Sequence, residues 1–332
     1  MNDVAKLAGV SQSTVSRVLS DTPTPFPVTE ETRQRILNAV ETLGYQPNMI
    51  ARSLRTQRTQ MIAVMIGDIS NAFYHPVVRA IQDVAYIHDY DVLISNGDHI
   101  YENEARFLQT VLRRPVDGVI IAPHRLTAAD LDNFIRRSHI PVVAVGAQVE
   151  HPLMDVVGGT SQSATFEAIT WLIQAKGHRR IGFMGVAGDM PPGPARLRGY
   201  ERAMNDASLP IEPGFVQKAE FTFEGGVHAM QTFLQQPNPP SVVFAANSLM
   251  AVGAILTAKT AGFRIPDDIG VMGFDDIPEG RIVEPKLTTV ARDLPGIGRQ
   301  VAEMLFERIS GQVTGPGRFV QSEWKLIERQ SV

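Results

Sequence analysis

The chain has 332 residues, enough for two or three domains. Its 44% hydrophobic and 20% charged residues give the balance of a globular protein. No apolar run reaches bilayer-spanning length, no signal-peptide pattern precedes the first helix, and there is no Cys, so a membrane span, disulfides and thiolate metal sites are all excluded and a cytoplasmic chain is expected.

The net charge of -4 is unevenly spread. Residues 1–60 carry seven Lys/Arg and five Asp/Glu, for +2, while the remainder carries 24 and 30, for -6. Between Gly44 and Gln60 there are three Arg and no acid. This fits a small polyanion-binding head on an acidic body.

In the head, "NDVAKLA" predicts a helix with Val4, Ala5, Leu7 and Ala8 on one side and Gly9 as its break. A second follows in "SQSTVSRVL", with Ser11 as its cap and Val15, Val18 and Leu19 turned inward. Past a proline-rich loop, "TEETRQRILNAVETLG" predicts a third, capped by Thr29, ended by Gly44 and striped by Ile36, Leu37, Val40 and Leu43. Two helices joined by a tight Gly-containing turn, with a third beneath, describe a helix-turn-helix, whose second helix enters the major groove. Its outward face carries hydroxyls, an amide and a guanidinium where a solvated face would carry Glu and Lys. Gln12, Ser13 and Arg17 are therefore expected to read bases and Thr14 and Ser16 to position phosphates, with the capping Ser11 also among the DNA-binding residues. Beyond Pro47, "NMIARSLR" fits equally a short helix that orders on DNA, its Leu54 wedged into a minor-groove step, and a flexible linker.

From Met61 the pattern becomes apolar runs ("MIAVMIG", "DVLISN", "GVIIAP", "PVVAVG", "RIGFMGV", "SVVFAAN", "IGVMGF", "LTTVAR") alternating with amphipathic helices. That is the signature of parallel sheets covered on both faces, and the length favours two lobes split near Thr160. Ligands of such folds bind at strand carboxyl ends. Asp68, Asn71, Phe73, Tyr74, Asp98, His124, Asn247, Asp275 and Arg292 follow or end these runs, and Arg196 opens a helix. Carboxylates, amides and aromatic faces together suit a polyhydroxylated ring. Asn247 and Asp275 equally suit helix caps, Phe73 the core, and His124 a structural role. Arg196 has Gly and Pro beside it and no local acid to explain it. An enzyme on a Rossmann-like body is the competing class, but G-x-G-x-x-G after the first strand, a P-loop, G-x-S-x-G and metal-spaced His pairs are all missing.

The stretches "NDVAKLAGVSQSTVSRVL", "VTEETRQRILNAVETLGYQPNMIARSLRT", "DISNAFY" and "FDDIP" closely resemble the lactose-repressor (LacI/GalR) family of bacterial transcription regulators, over essentially the whole chain. The resemblance implies an α/β protein with three parts. These are a helix-turn-helix head (1–46), a hinge helix and linker (47–60), and a two-lobed body of the periplasmic-binding-protein kind (61–332). The first lobe would comprise about 61–160 and 292–318, the second about 161–291 and 319–332. It implies a homodimer on near-palindromic double-stranded operator DNA, with Asn48, Ala51, Arg52, Leu54 and Arg55 of the hinge helix on the minor groove. It also implies a small-molecule effector, carbohydrate in class and with no further cofactor, held by Phe73, Tyr74, His124, Arg196, Phe221, Asn247, Asp275 and Arg292. Three departures stand out. Met1 falls where relatives cap the first helix with Thr, the "TPTPFP" loop is long, and the family's "ND" pair reads Asn247-Ser248.

Overall fold

The computed structural model describes residues 1–19, 28–45, 53, 58–146, 149, 151–188 and 192–332. Asn48, Ala51, Arg52, Leu54 and Arg55 lie outside the described residues, as do the "TPTPFP" loop and, apart from Ser53, the expected hinge helix. The chain divides into two compact units, Met1–Gln60 and Met61–Val332.

The first unit contains α1 (Asn2–Ala8), α2 (Gln12–Val18) and α3 (Glu30–Thr42). Gly9 ends α1 at φ 64°, a left-handed turn that costs glycine little. Ser11 and Thr29 cap α2 and α3 by accepting from the amides of Thr14 and Thr32. Met1 gives α1 no side-chain cap. Val4, Ala5, Ala8, Val15, Ile36 and Ala39 form the core. Leu7, Leu37 and Leu43, expected on the apolar stripes, are exposed instead. Helices of two to four turns touch over a small area, so Ala takes the contact and Leu moves to its rim.

Among the described residues of the second unit, twelve strands form two six-stranded sheets. The first sheet contains β1 (Met61–Ile66), β2 (Asp91–Asn96), β3 (Gly118–Ile121), β4 (Val142–Val145) and β5 (Asp155–Gly158). Its helices are α4 (Tyr74–Ile87), α5 (Tyr101–Arg113) and α6 (Ala128–Ser138). The chain then enters the second lobe through α7 (Ser161–Gln174), β6 (Ile181–Val186), α8 (Gly193–Asp206), β7 (Val216–Ala219) and α9 (Phe223–Leu234). This lobe continues through β8 (Val242–Ala245), α10 (Ser248–Thr260), β9 (Gly270–Phe274), α11 (Pro278–Ile282) and β10 (Thr288–Arg292). Helix α12 (Leu294–Ile309) returns to the core of the first lobe, β11 (Phe319–Gln321) pairs with β5, and β12 (Trp324–Ile327) closes the second sheet.

The orders are β11-β5-β4-β3-β1-β2 and β12-β10-β9-β8-β6-β7, parallel throughout except for β12 against β10. Both sheets are covered on both faces, which is why strands such as β6 and β9 are buried at every residue. The chain crosses between lobes after β5, β10 and β11. The expected boundary at 318 is therefore corrected: residues 319–321 belong to the first sheet. Likewise Arg292 ends β10 in the second sheet rather than opening the first-lobe return. Among the described residues, no helix is long and apolar enough to cross a membrane.

The return helix α12 packs on α4 at Gly298, where an added Cβ would lie 2.4 Å from the Val77 carbonyl oxygen and 2.9 Å from the Ala80 Cβ. The obstacle is backbone, which cannot rotate away. Gly298→Ala is expected to cost about 1–3 kcal/mol, from overpacking that outweighs its gain in helix propensity. A lowered urea midpoint at unchanged slope checks it.

Candidate functional site

Two sites can be built. In the head, buried Val15 seats α2, leaving Gln12 and Ser13 exposed at its first turn, where there is no acidic side chain. The positive helix end is thus open to an anion. The Ser11 hydroxyl lies 2.7 Å from that of Ser13 and 2.8 Å from that of Thr14, so three hydroxyls share one patch. Ser16 and Arg17 follow on the same helix, both partly exposed. Hydroxyls, an amide and a guanidinium on one short helix make a surface that can donate to phosphates and base edges.

In the body, a cavity of about 470 Å³ opens between the two lobes. All eight body residues expected at the site line it: Phe73, Tyr74, His124, Arg196, Phe221, Asn247, Asp275 and Arg292. Asp68, Asn71 and Asp98 line it too. Asp275 is its hub. This residue follows β9 at φ 69° and carries a carboxylate between two guanidiniums, Arg196 at 3.3 Å and Arg292 at 3.1 Å. Its carbonyl accepts from the Ser248 hydroxyl, which also lies 3.1 Å from the Thr289 hydroxyl. The "NS" departure therefore replaces an acid with a hydroxyl that anchors the Asp275 peptide.

Arg196 is 2% exposed. It donates to the Ala246 carbonyl, and its guanidinium carbon lies 3.7 Å from the Phe274 ring centroid. The acid that is absent from its sequence neighbourhood arrives from 79 positions away as Asp275, so Arg196 has a structural anchor after all. Burial lowers its pKa to about 10 against the opposing pull of Asp275, and it stays charged at neutral pH.

Arg292 lies 5.4 Å from the Phe73 centroid, reaching from the second sheet onto the first lobe. Phe73 in turn meets Tyr74 edge-on at 4.9 Å. Asn247 caps α10: its side chain accepts from the Met250 amide at 2.7 Å and donates to the Phe221 carbonyl at 3.2 Å. Most of its amide is thereby committed. Its helix-cap role and its place on the cavity wall coexist.

On the first-lobe wall, His124 stands beside His99, with ring centroids 4.3 Å apart at 82°. Beneath them the fully buried Glu104 carboxylate accepts from the backbone amides of His124, Arg125 and Leu126 at 2.9–3.2 Å. Burial lowers the His124 pKa to about 3, with His99 adding to the effect, and burial also lowers that of His99. Both imidazoles are neutral at pH 7. His99, Glu104, Ser161 and Glu220 are site residues that sequence reasoning missed. For His99 a signal existed, since it directly follows Asp98 at the end of an apolar run; for Glu104, in mid-helix, none did. Among the described residues, no group of three His, Cys, Asp or Glu is placed to hold a metal.

An assembly of carboxylate, amide, imidazole and guanidinium groups with aromatic faces, set between two sheets, can bind and orient a polar ring. Residues 1–48 match the family described as bacterial regulatory proteins, lacI family, and residues 173–332 match a periplasmic binding protein-like domain. The chain is 32% identical to catabolite control protein A of Priestia megaterium, covering 99% of this chain and 98% of that one. It is 33% identical to the HTH-type transcriptional repressor CytR of Escherichia coli K12, covering 96% and 92%. A solved transcriptional regulator, CelR in complex with cellobiose, superposes with a TM-score of 0.74 at 29% identity, covering 100% and 99%. With a helix-turn-helix head, two parallel-sheet lobes and these relatives, the chain belongs to the lacI family of bacterial regulatory proteins, which are DNA-binding transcription regulators.

Proposed function

We propose that the chain is a cytoplasmic homodimeric repressor that binds a near-palindromic operator through α2 and is controlled by a carbohydrate held between its lobes. It acts as a regulator and not as an enzyme. Gln12, Ser13 and Arg17 read bases, while Thr14 and Ser16 fix the helix on the phosphates and Ser11, its cap, joins the DNA-binding surface. The hinge contacts assigned to Asn48, Ala51, Arg52, Leu54 and Arg55 rest on the resemblance alone. Phe73, Tyr74, His124, Arg196, Phe221, Asn247, Asp275 and Arg292 hold the effector. The CelR relative, whose complex contains cellobiose, supports the carbohydrate class.

The observation that carries the regulatory reading is Arg292. It ends β10, where the chain passes from one lobe to the other, and touches Asp275 on one side and Phe73 on the other. A ligand bound there biases the angle between the lobes, and a ligand with different affinity for two lobe angles shifts the population between them.

The test is selection of a binding sequence from random duplex DNA by the full chain, followed by gel-shift titration with and without sugars. Failure to enrich any sequence in low salt sinks the reading. Arg17→Ala is expected to weaken the selected operator by about 10- to 200-fold, the loss of one bidentate base contact, while salt-sensitive binding to unrelated DNA persists. Equal loss on both DNAs means that Arg17 contacts only phosphate.

A further inference from the structure

Two consecutive non-glycine residues, Asp98 and His99, stand in the left-handed region at φ 52° and 56°. Such strain persists only where the surroundings hold it, and it concentrates at ligand sites. Here the Asp98 amide donates to the Gly67 carbonyl at 2.7 Å, Asn103 Nδ2 donates to Asp98 Oδ2 at 3.0 Å, and Arg125 Nε donates to the His99 carbonyl at 3.3 Å. The end of β1 also makes room. A Cβ on Gly67 would lie 2.4 Å from His99 Cε1 and 2.7 Å from the Tyr74 hydroxyl oxygen. Only glycine lets that ring cross the strand end.

The ring so delivered meets His124 on the cavity wall, and the Nδ1 atoms of both imidazoles are buried without a hydrogen-bond partner among the described residues. The charged groups acting on His99 are the carboxylates of Glu104, Asp68 and Asp98 and the guanidinium of Arg125. Arg125 is engaged with the His99 carbonyl, and Arg196 and Arg292 are engaged with Asp275. A phosphate or carboxylate entering here would face the Asp68 and Asp98 carboxylates on the wall, with buried Glu104 behind it, and no unengaged guanidinium among these residues. With Nδ1 of each ring buried, that of His124 4.0 Å from Glu104 Oε1, the Nε2 atoms are left for a ligand, and in a neutral imidazole Nε2 donates or accepts according to the tautomer, which matches a hydroxyl group that can do either.

We propose that the His99–His124 pair is the specificity element of the cleft, taking the hydroxyl-bearing face of an uncharged saccharide and excluding its phosphorylated counterpart. Glu104 acts as the positioning residue for His124. The assignment rests on the carbohydrate reading of the cleft.

The experiment is thermal unfolding of the full chain with glucose, ribose, cellobiose and a wider set of neutral mono- and disaccharides, each paired with its phosphate ester. The expected result is that at least one neutral saccharide raises Tm by about 3 °C or more at saturation and its ester does not. Calorimetry on that saccharide should show about tenfold or greater loss of affinity in His99→Phe and in His124→Phe. The hydrogen-bonding variants His99→Asn and His124→Gln should recover part of it, and they replace the Phe variants if those fail to fold. An ester that stabilises as well as its parent sugar overturns the proposal while leaving the cleft a carbohydrate site. Unchanged affinity in the His variants does the same. If neither class stabilises the chain, the carbohydrate reading falls and this assignment falls with it.

Discussion

Asp275→Asn is expected to lower the stability of the body by about 3–5 kcal/mol and to abolish the response to effector. The side chain is nearly isosteric, and Asn tolerates the left-handed backbone at φ 69° at least as well as Asp. What changes is charge. Arg196 is almost fully buried, and the carboxylate lies 3.3 Å from its Nη2. Without it, a guanidinium remains in the interior opposed only by dipoles and the Phe274 face, beside a second guanidinium, Arg292, that also loses its partner. Burying an uncompensated charge is among the few mechanisms that produce effects this large. The double variant Arg196→Met with Asp275→Asn should recover much of the loss, because removing a buried pair together costs far less than breaking it. Urea unfolding of the parent chain and the two variants checks the order. A single variant as stable as the parent chain would show that water reaches Arg196.

The adjacent acid has a different duty, which bears on how much of the site was legible. In "FDDIP" the two carboxylates are indistinguishable by sequence. Asp276 turns away from the cleft, pairing with Arg329 at 2.8 and 2.9 Å and with Arg281 at 3.0 Å, and so ties α11 and the chain end to the second sheet. Reading the residues that follow each apolar run placed Asp275, Asn247 and Arg292 on the cavity, because the carboxyl ends of parallel strands converge there. The same rule, applied one residue further, would have found His99. It could not find Glu104, whose mid-helix place on α5 looks like any solvated acid until the 124–126 amides close on it.

The fold divides similarly. Strands with uninterrupted apolar runs, such as β1 and β6, announce themselves, because both of their faces are covered. The edge strands β7 and β11 and the antiparallel closing strand β12 are short and half-exposed, and their residues do not form such runs. Helix α12 was hidden differently. Its first turns hold Pro295, Gly296 and Gly298, residues of low helix propensity, yet Asp293 caps it and Gly298 is the contact with α4. Residues that lower local propensity were chosen there by a partner more than 200 positions away, and no local window contains that information.

Acidification offers the second large effect, and it tests the buried imidazole directly. In the unfolded chain His124 takes up a proton near pH 6.5, whereas in the folded chain burial and the neighbouring His99 hold its pKa at about 3. Between those values the unfolded state binds the extra proton. Stability is therefore fully present above pH 6.5 and is lost as the pH falls toward 3. Going from pH 7 to pH 5 traverses about 1.5 units of that window, worth about 2 kcal/mol at roughly 1.4 kcal/mol per unit. The size depends only on the folded pKa lying below 5. His99 and His178, both also lowered by burial, add in the same direction. Asp155, held below the usual carboxylate range by its hydrogen bonds to Arg308 and Arg318 despite burial, contributes only at more acidic pH. His124→Gln removes the titration while keeping a polar side chain of similar reach. The parent chain should lose about 2 kcal/mol more than this variant between pH 7 and pH 5, measured by urea unfolding followed by circular dichroism. Equal losses would mean that His124 protonates in place, and that the cavity wall around it admits water and charge.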